Sequence, residues 1–106
     1  MGIFDFFKTE NINEGVSQFE QTKGAILLDV RTTEEYQSGH IPQSINVPLH
    51  EIHKVAETIS DHTIPLFVYC QSGARSSQAA AALSKMGYTE VKNIGGINNY
   101  RGKVEK

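Results

Sequence analysis

The sequence is poor in the residues that staple or coat: it has one cysteine, Cys70, and its 10 lysines and arginines nearly balance 12 aspartates and glutamates, for a net charge of −2. A single cysteine cannot close an internal disulfide, which removes the disulfide-stabilised secreted mini-domain and points to the reducing cytoplasm. A charge this close to neutral removes the coating of nucleic-acid phosphates or anionic membranes as a main activity. No apolar run approaches the roughly 20 residues that a membrane-crossing helix needs, and no repeat, low-complexity tract or linker interrupts the chain. The apolar cluster Ile3, Phe4, Phe6 and Phe7 is too short for a secretion signal. It is expected to pack on the domain edge, with docking to a partner or membrane surface as the alternative. Gly2 is not read as a myristoylation site, because that motif wants Ser or Thr where Phe6 stands.

What is present is an ordinary globular composition, 39% hydrophobic and 21% charged over 106 residues, which predicts one domain spanning 1–106. Asn13 is placed to cap a helix running to about Thr22, with Val16 and Phe19 on its apolar side and Gly24 beyond its end. The continuous apolar runs Ala25 to Val30 and Leu66 to Tyr69 read as strands covered on both faces, and Ser44 to Val47 and Val91 to Ile94 as shorter ones. Thr32 or Thr33 can cap a brief helix holding Glu34, Glu35 and Tyr36. Ile52, Val55, Ala56 and Ile59 predict a helix from Leu49, and Ala79, Ala82, Leu83 and Met86 predict a stronger one from Ser76 to Met86, stopped by Gly87. Gly95-Gly96 reads as a turn, followed by a last helical turn from Ile97 to Arg101. Strands alternating with helices imply an α/β fold, a mainly parallel central sheet with helices on both faces.

In such sheets ligands bind outside the carboxyl ends of the strands, and Cys70 ends one of them. The segment Gln71-Ser72-Gly73-Ala74, followed by Arg75 and the Ser76 helix, can curl its backbone N–H groups inward around a central glycine. Such a cradle, reinforced by the helix dipole, favours an anion and should hold Cys70 as the thiolate that attacks. A lone cysteine is more often a small buried hydrophobe, but this one closes a strand and opens a polar, glycine-containing loop. Arg75 in a first helical turn opposes the dipole, so a task in holding the loop or an anionic substrate is expected of it. His50 and His53 share a face without a third ligand, so a solvated surface is expected there, with no metal site and no cofactor.

The run Leu28-Asp29-Val30-Arg31, then Glu35-Tyr36, Gly39-His40-Ile41-Pro42, Ile45 to Leu49, Tyr69-Cys70 to Arg75 and Gly95-Gly96 resembles single-domain rhodaneses, over about residues 12 to 102. The resemblance implies a sulfurtransferase in which Cys70 takes a sulfane sulfur from a small anionic donor such as thiosulfate, or from a persulfide or polysulfide. The sulfur would then pass to cyanide or a thiol, a protein thiol included. It implies that Gln71, Ser72, Gly73, Ala74 and Arg75 bind the substrate, Arg75 by attracting or orienting the anion. Asp29 and Arg31 would brace the site, and Ser76 would support it. Two departures stand out: Gln43 where the family often has glycine, and Tyr100 where it usually has tryptophan, which could reshape the mouth of the site. Two other readings remain, a non-catalytic or sulfur-relay module binding a partner protein, and a cysteine phosphatase or arsenate reductase. The second needs five residues between cysteine and arginine, where this chain has four.

Overall fold

The computed structural model describes residues 11–106, so the packing expected of Ile3, Phe4, Phe6 and Phe7 lies outside it. Helix α1 (Ile12–Gln21) is capped by Asn11, whose side chain accepts from the amides of Asn13 at 3.0 Å and Glu14 at 3.5 Å. The cap is therefore two residues earlier than Asn13, and Ile12 joins Val16 and Phe19 on the buried side. The two apolar runs become β1 (Ile26–Asp29) and β3 (Leu66–Cys70), paired in parallel from Ile26 opposite Leu66 to Asp29 opposite Tyr69. With β2 (Ile45–Asn46) and β4 (Val91–Gly96) they form a four-stranded, wholly parallel sheet in the order β2-β1-β3-β4.

The alternation of side chains along β3 divides the core into two layers. Leu66, Val68 and Cys70 point to one face, where they meet Leu83 and Ala79 of α4 (Ala74–Lys85) and Val55 of α3 (Val55–Thr58). Phe67 and Tyr69 point to the other, against Ile12, Val16 and Phe19 of α1. Both faces are covered, which is why β3 is buried at every position and reads as a continuous apolar run. No helix among the described residues is long and apolar enough to cross a membrane.

Three local expectations differ from the structure. The helix expected from Leu49 is a 3-10 segment (Leu49–Lys54) that kinks at Glu51 before α3 begins. The tighter winding shifts the phase of the face, so Val55 and Ile59 are buried while Ala56 is exposed. Helix α4 starts at Ala74, two residues before Ser76, because Gly73 in a left-handed conformation (φ 107°) serves as its cap. The Gly95-Gly96 pair closes β4 rather than turning: β3 and β4 shift register between Val68 and Tyr69, leaving Gly95 and Gly96 opposite Tyr69 and Cys70. A short 3-10 turn (Ile97–Asn99) follows. A brief helix α2 (Thr33–Gln37) keeps the expected cap, Thr32, in a reciprocal box with Glu35.

Gly15 in α1 packs so closely on β4 that an added Cβ would collide with the Cβ and Cγ2 of Ile94. Elsewhere in a helix, replacing glycine with alanine stabilises by about 0.5–1 kcal/mol, but overpacking a core costs about 1–3 kcal/mol. The second effect should win. Gly15→Ala is expected to lower the urea midpoint with an unchanged slope, and a midpoint at or above that of the parent would contradict this packing.

Candidate active site

The carboxyl ends of the parallel strands carry the residues singled out in the sequence. Cys70 ends β3 with 1% of its surface exposed, and the chain turns over it through Gln71, Ser72 and Gly73 into α4. The left-handed Gly73 aims two amides at the sulfur: Gly73 N lies 3.0 Å from Cys70 Sγ and Ser76 N 3.3 Å away. The Ser76 hydroxyl is 3.4 Å from the same sulfur. Burial pushes the thiol up, but hydrogen bonds from the Ser76 side chain and from the amides of Ser76, Gly73 and Ser72 outweigh it, so the thiol ionises below its ordinary range. The cradle is thus built by Ser72, Gly73 and Ser76. The side chains of Gln71 and Arg75 are engaged elsewhere, and Ala74 is exposed on the first turn of α4.

The loop is held by three neighbouring segments. Beneath it, Asp29 and Arg31 form a buried ion pair, with Nη2 2.7 Å from Oδ2 and Nε 3.1 Å from both carboxylate oxygens. Arg31 donates onward to the Gly39 carbonyl at 2.8 Å and to Gln71 Oε1 at 3.1 Å. Its guanidinium is held charged: burial lowers its pKa, but the Asp29 hydrogen bonds and charge raise it by more. Asn46 of β2 clasps the same corner, donating to the carbonyls of Asp29 and Arg31 at 3.0 Å each. On the far side, Gln71 Nε2 donates to Asn98 Oδ1 at 2.6 Å and Asn98 N to the Gln71 carbonyl at 3.1 Å. Gly96 leaves no room for a side chain, since a Cβ there would strike the Gln71 carbonyl and Ser72 Cα.

Arg75, expected to hold the loop or an anionic substrate, is paired within the fold. Its two terminal nitrogens fork onto Glu35 of α2, at 2.7 and 3.0 Å. Glu35 Oε1 also accepts from the Thr32 amide at 2.9 Å in the capping box, so one carboxylate ties α2 to α4. The Arg75 hydrogen bond is the main reason the Glu35 carboxyl is lowered from 4.5 to about 2. Tyr100 packs half-buried against the α1-side core and lines a cleft of about 540 Å3 with Asn11, Asn13, Asn98, Asn99 and Arg101; Cys70 is not on its walls.

Asn98 and Asn93 were not singled out in the sequence, and Glu35 was named only within a brief helix and the family pattern, without a role at the site. Glu35 carries a signal that could have been read for more, since Thr-x-x-Glu is a capping box whose carboxylate has a second oxygen to offer. Asn93 is a polar residue inside a short strand, on the face that packs against α4, where its Oδ1 accepts from Ser76 Oγ at 2.7 Å and Gly95 N at 3.0 Å. His40 stacks on Tyr36 with ring centres 3.7 Å apart, while His50 and His53 are exposed. No group of three metal-ligating side chains comes together among the described residues.

With this geometry in hand, known proteins supply a context. The rhodanese-like domain family matches residues 13–103. Thiosulfate sulfurtransferase PspE of Escherichia coli is 42% identical over 73 residues, covering 68% of this chain and 70% of its own. A sulfurtransferase of Allochromatium vinosum is 40% identical and aligned over 80% of both chains. The putative sulfur carrier protein YrkF of Bacillus subtilis is 38% identical over 74% of this chain and 43% of its own. Among solved structures, a rhodanese with anions from E. coli superposes with a TM-score of 0.72 at 38% identity, covering 77% of this chain and 98% of that one. Matched along nearly all its described length, and carrying Cys70 at the strand ends beneath a curled loop, the chain belongs to the rhodanese-like family.

Proposed function

We propose that this rhodanese-like domain is a sulfurtransferase that carries sulfur on Cys70. The observation that carries the reading is the convergence of the Gly73 and Ser76 amides on the only cysteine, at 3.0 and 3.3 Å. Partial positive charge fixed around a buried sulfur favours the thiolate and any sulfur anion that replaces it. The thiolate attacks the outer sulfur of thiosulfate. The sulfur–sulfur bond of the donor breaks, its electron pair leaves with sulfite, and Cys70 becomes a persulfide anion. A thiophilic acceptor, cyanide or a thiolate, then attacks the outer sulfur and returns the Cys70 thiolate. No cofactor or metal enters these steps.

The burial of Cys70 supports donors whose reacting sulfur stands at the tip of the molecule, as in thiosulfate or a persulfide. A phosphate or arsenate ester, with three oxygens to hold around the centre, would find a cradle whose amides are already directed at one sulfur, and no observation favours that reading. The relatedness to a putative sulfur carrier supports a protein thiol as one class of acceptor. A cytoplasmic setting suits the chemistry, since the persulfide needs a reduced cysteine.

Cys70→Ser removes the atom that holds the transferred sulfur and changes little else in size, so turnover from thiosulfate to cyanide should fall to background while circular dichroism stays native. Activity near that of the parent would take Cys70 out of the reaction. Arg75 is read here as a brace, because Glu35 already compensates its charge. Arg75→Ala should therefore reduce transfer from thiosulfate and from an uncharged persulfide by similar factors. A loss confined to thiosulfate would instead make Arg75 the anchor for the anionic donor. Because the fold depresses the Glu35 carboxyl, the clamp contributes fully above pH 4.5 and is lost as the pH falls through about 2. The stability difference between the parent and Glu35→Gln, measured by denaturant unfolding, should shrink over that acid window.

A further inference from the structure

We propose that Asn93 is a positioning residue for the reacting sulfur, setting the thiolate population of Cys70 by competing with the sulfur for the one proton of the Ser76 hydroxyl. This rests on Cys70 being the reacting group. The hydroxyl is fully buried, so its proton must go to a protein atom. Four atoms lie within reach of Ser76 Oγ: Asn93 Oδ1 at 2.7 Å, the Gly73 carbonyl at 3.0 Å, the Gly95 carbonyl at 3.4 Å and Cys70 Sγ at 3.4 Å.

The shortest of these contacts has only one polarity. Asn93 Oδ1 accepts from the Gly95 amide at 3.0 Å, which fixes that atom as the oxygen of the side-chain amide and leaves it nothing to donate. Ser76 must therefore be the donor to Asn93. The Gly95 amide is available for this because the shift in register between β3 and β4 falls at this point, so the bulge that brings Gly96 opposite Cys70 also orients Asn93. With its proton turned toward Asn93, Ser76 Oγ presents a lone pair to the sulfur. That suits a protonated Cys70, whose S–H donates to it, and opposes a thiolate, which needs the hydroxyl turned round as a donor. Ionising Cys70 turns the hydroxyl round into the hydrogen bond that lowers the thiol, and does so at the cost of the Ser76–Asn93 hydrogen bond.

The other groups around Cys70 leave this competition as the adjustable element. Cys70 shares an apolar cluster with Leu28 of β1, Val30 just beyond it, Val55 of α3, and Ala79 and Leu83 of α4. Tyr88 closes the same cluster, with its phenol pushed up by burial and its hydroxyl donating to the Ile59 carbonyl. Two charged pairs stand at this end of the sheet, Arg75 of α4 with Glu35 of α2, and Arg31 with Asp29 at the end of β1.

The test is the pH dependence of Cys70 alkylation by iodoacetamide, which needs no sulfur donor and so stands or falls apart from the sulfurtransferase reading. The parent should inflect below the free-cysteine value of about 8.5. Asn93→Ala removes the nearest competing acceptor, leaving the sulfur to compete only with the Gly73 and Gly95 carbonyls, and should lower the inflection by up to about one pH unit, the worth of one hydrogen bond to a charged group. In a Ser76→Ala background the same replacement should leave the inflection where it is. An inflection that stays put or rises in Asn93→Ala, or that moves equally with and without Ser76, would overturn the proposal and reduce Asn93 to a structural support of Gly95. Should Asn93→Ala not fold, Asn93→Asp keeps both acceptor contacts while holding the Ser76 proton more tightly. It should then raise the inflection more when Ser76 is present than when it is absent, and equal shifts would overturn the proposal.

Discussion

Two backbone N–H groups converging on one sulfur atom are the constraint around which this molecule is arranged. They converge only if the chain reverses within three residues after β3, and that reversal needs Gly73 at a φ of 107°, which a residue bearing a Cβ rarely adopts. The reversal in turn needs space on the β4 side, where Gly96 touches the backbone of Gln71 and Ser72 closely enough to exclude any side chain. Helix α4 then begins at once, so the Ser76 amide of its first turn and the positive end of its dipole fall on Cys70.

A loop this tight carries polar groups into a buried corner, and each is met by a partner. Asp29 and Arg31 neutralise each other under the loop, and Arg31 spends its remaining donors on Gly39 and Gln71. Breaking a buried pair of this kind from one side costs about 3–5 kcal/mol, because the remaining charge is stranded. The Arg75–Glu35 pair does similar work nearer the surface, where solvent weakens it. The site is thereby fastened to β1, β2, α2 and the turn after β4. A parallel sheet, which gathers the carboxyl ends of its strands at one edge, makes that possible.

The architecture was legible in the sequence because burial on both faces turns strands into continuous apolar runs, and β1 and β3 stand where those runs predicted. The position of Cys70 at a strand end and the role of a glycine in curling the loop were legible for the same reason. Other features depended on what lies across the sheet. A Gly-Gly pair looks like a turn until a shifted register places it in a strand, and the partner of Arg75 is 40 residues away in sequence. Asn93 gives little signal on its own. Its meaning comes from Ser76 and Gly95, which reach it from a helix and from a bulge. The kink at Glu51 shows how weakly periodicity constrains a short helix, since three or four apolar positions fit a 3-10 turn followed by an α turn as well as one continuous helix.

The central claim is that the cradled sulfur of Cys70 holds a second sulfur between donor and acceptor, and intact-protein mass spectrometry tests it most directly. The protein would be incubated with thiosulfate, freed of small molecules, weighed, treated with cyanide and weighed again. The account predicts a gain of one sulfur, located on the peptide containing Cys70 and removed by cyanide. A protein that turns over thiosulfate while its mass never changes, or that carries the added sulfur elsewhere than on Cys70, would contradict it.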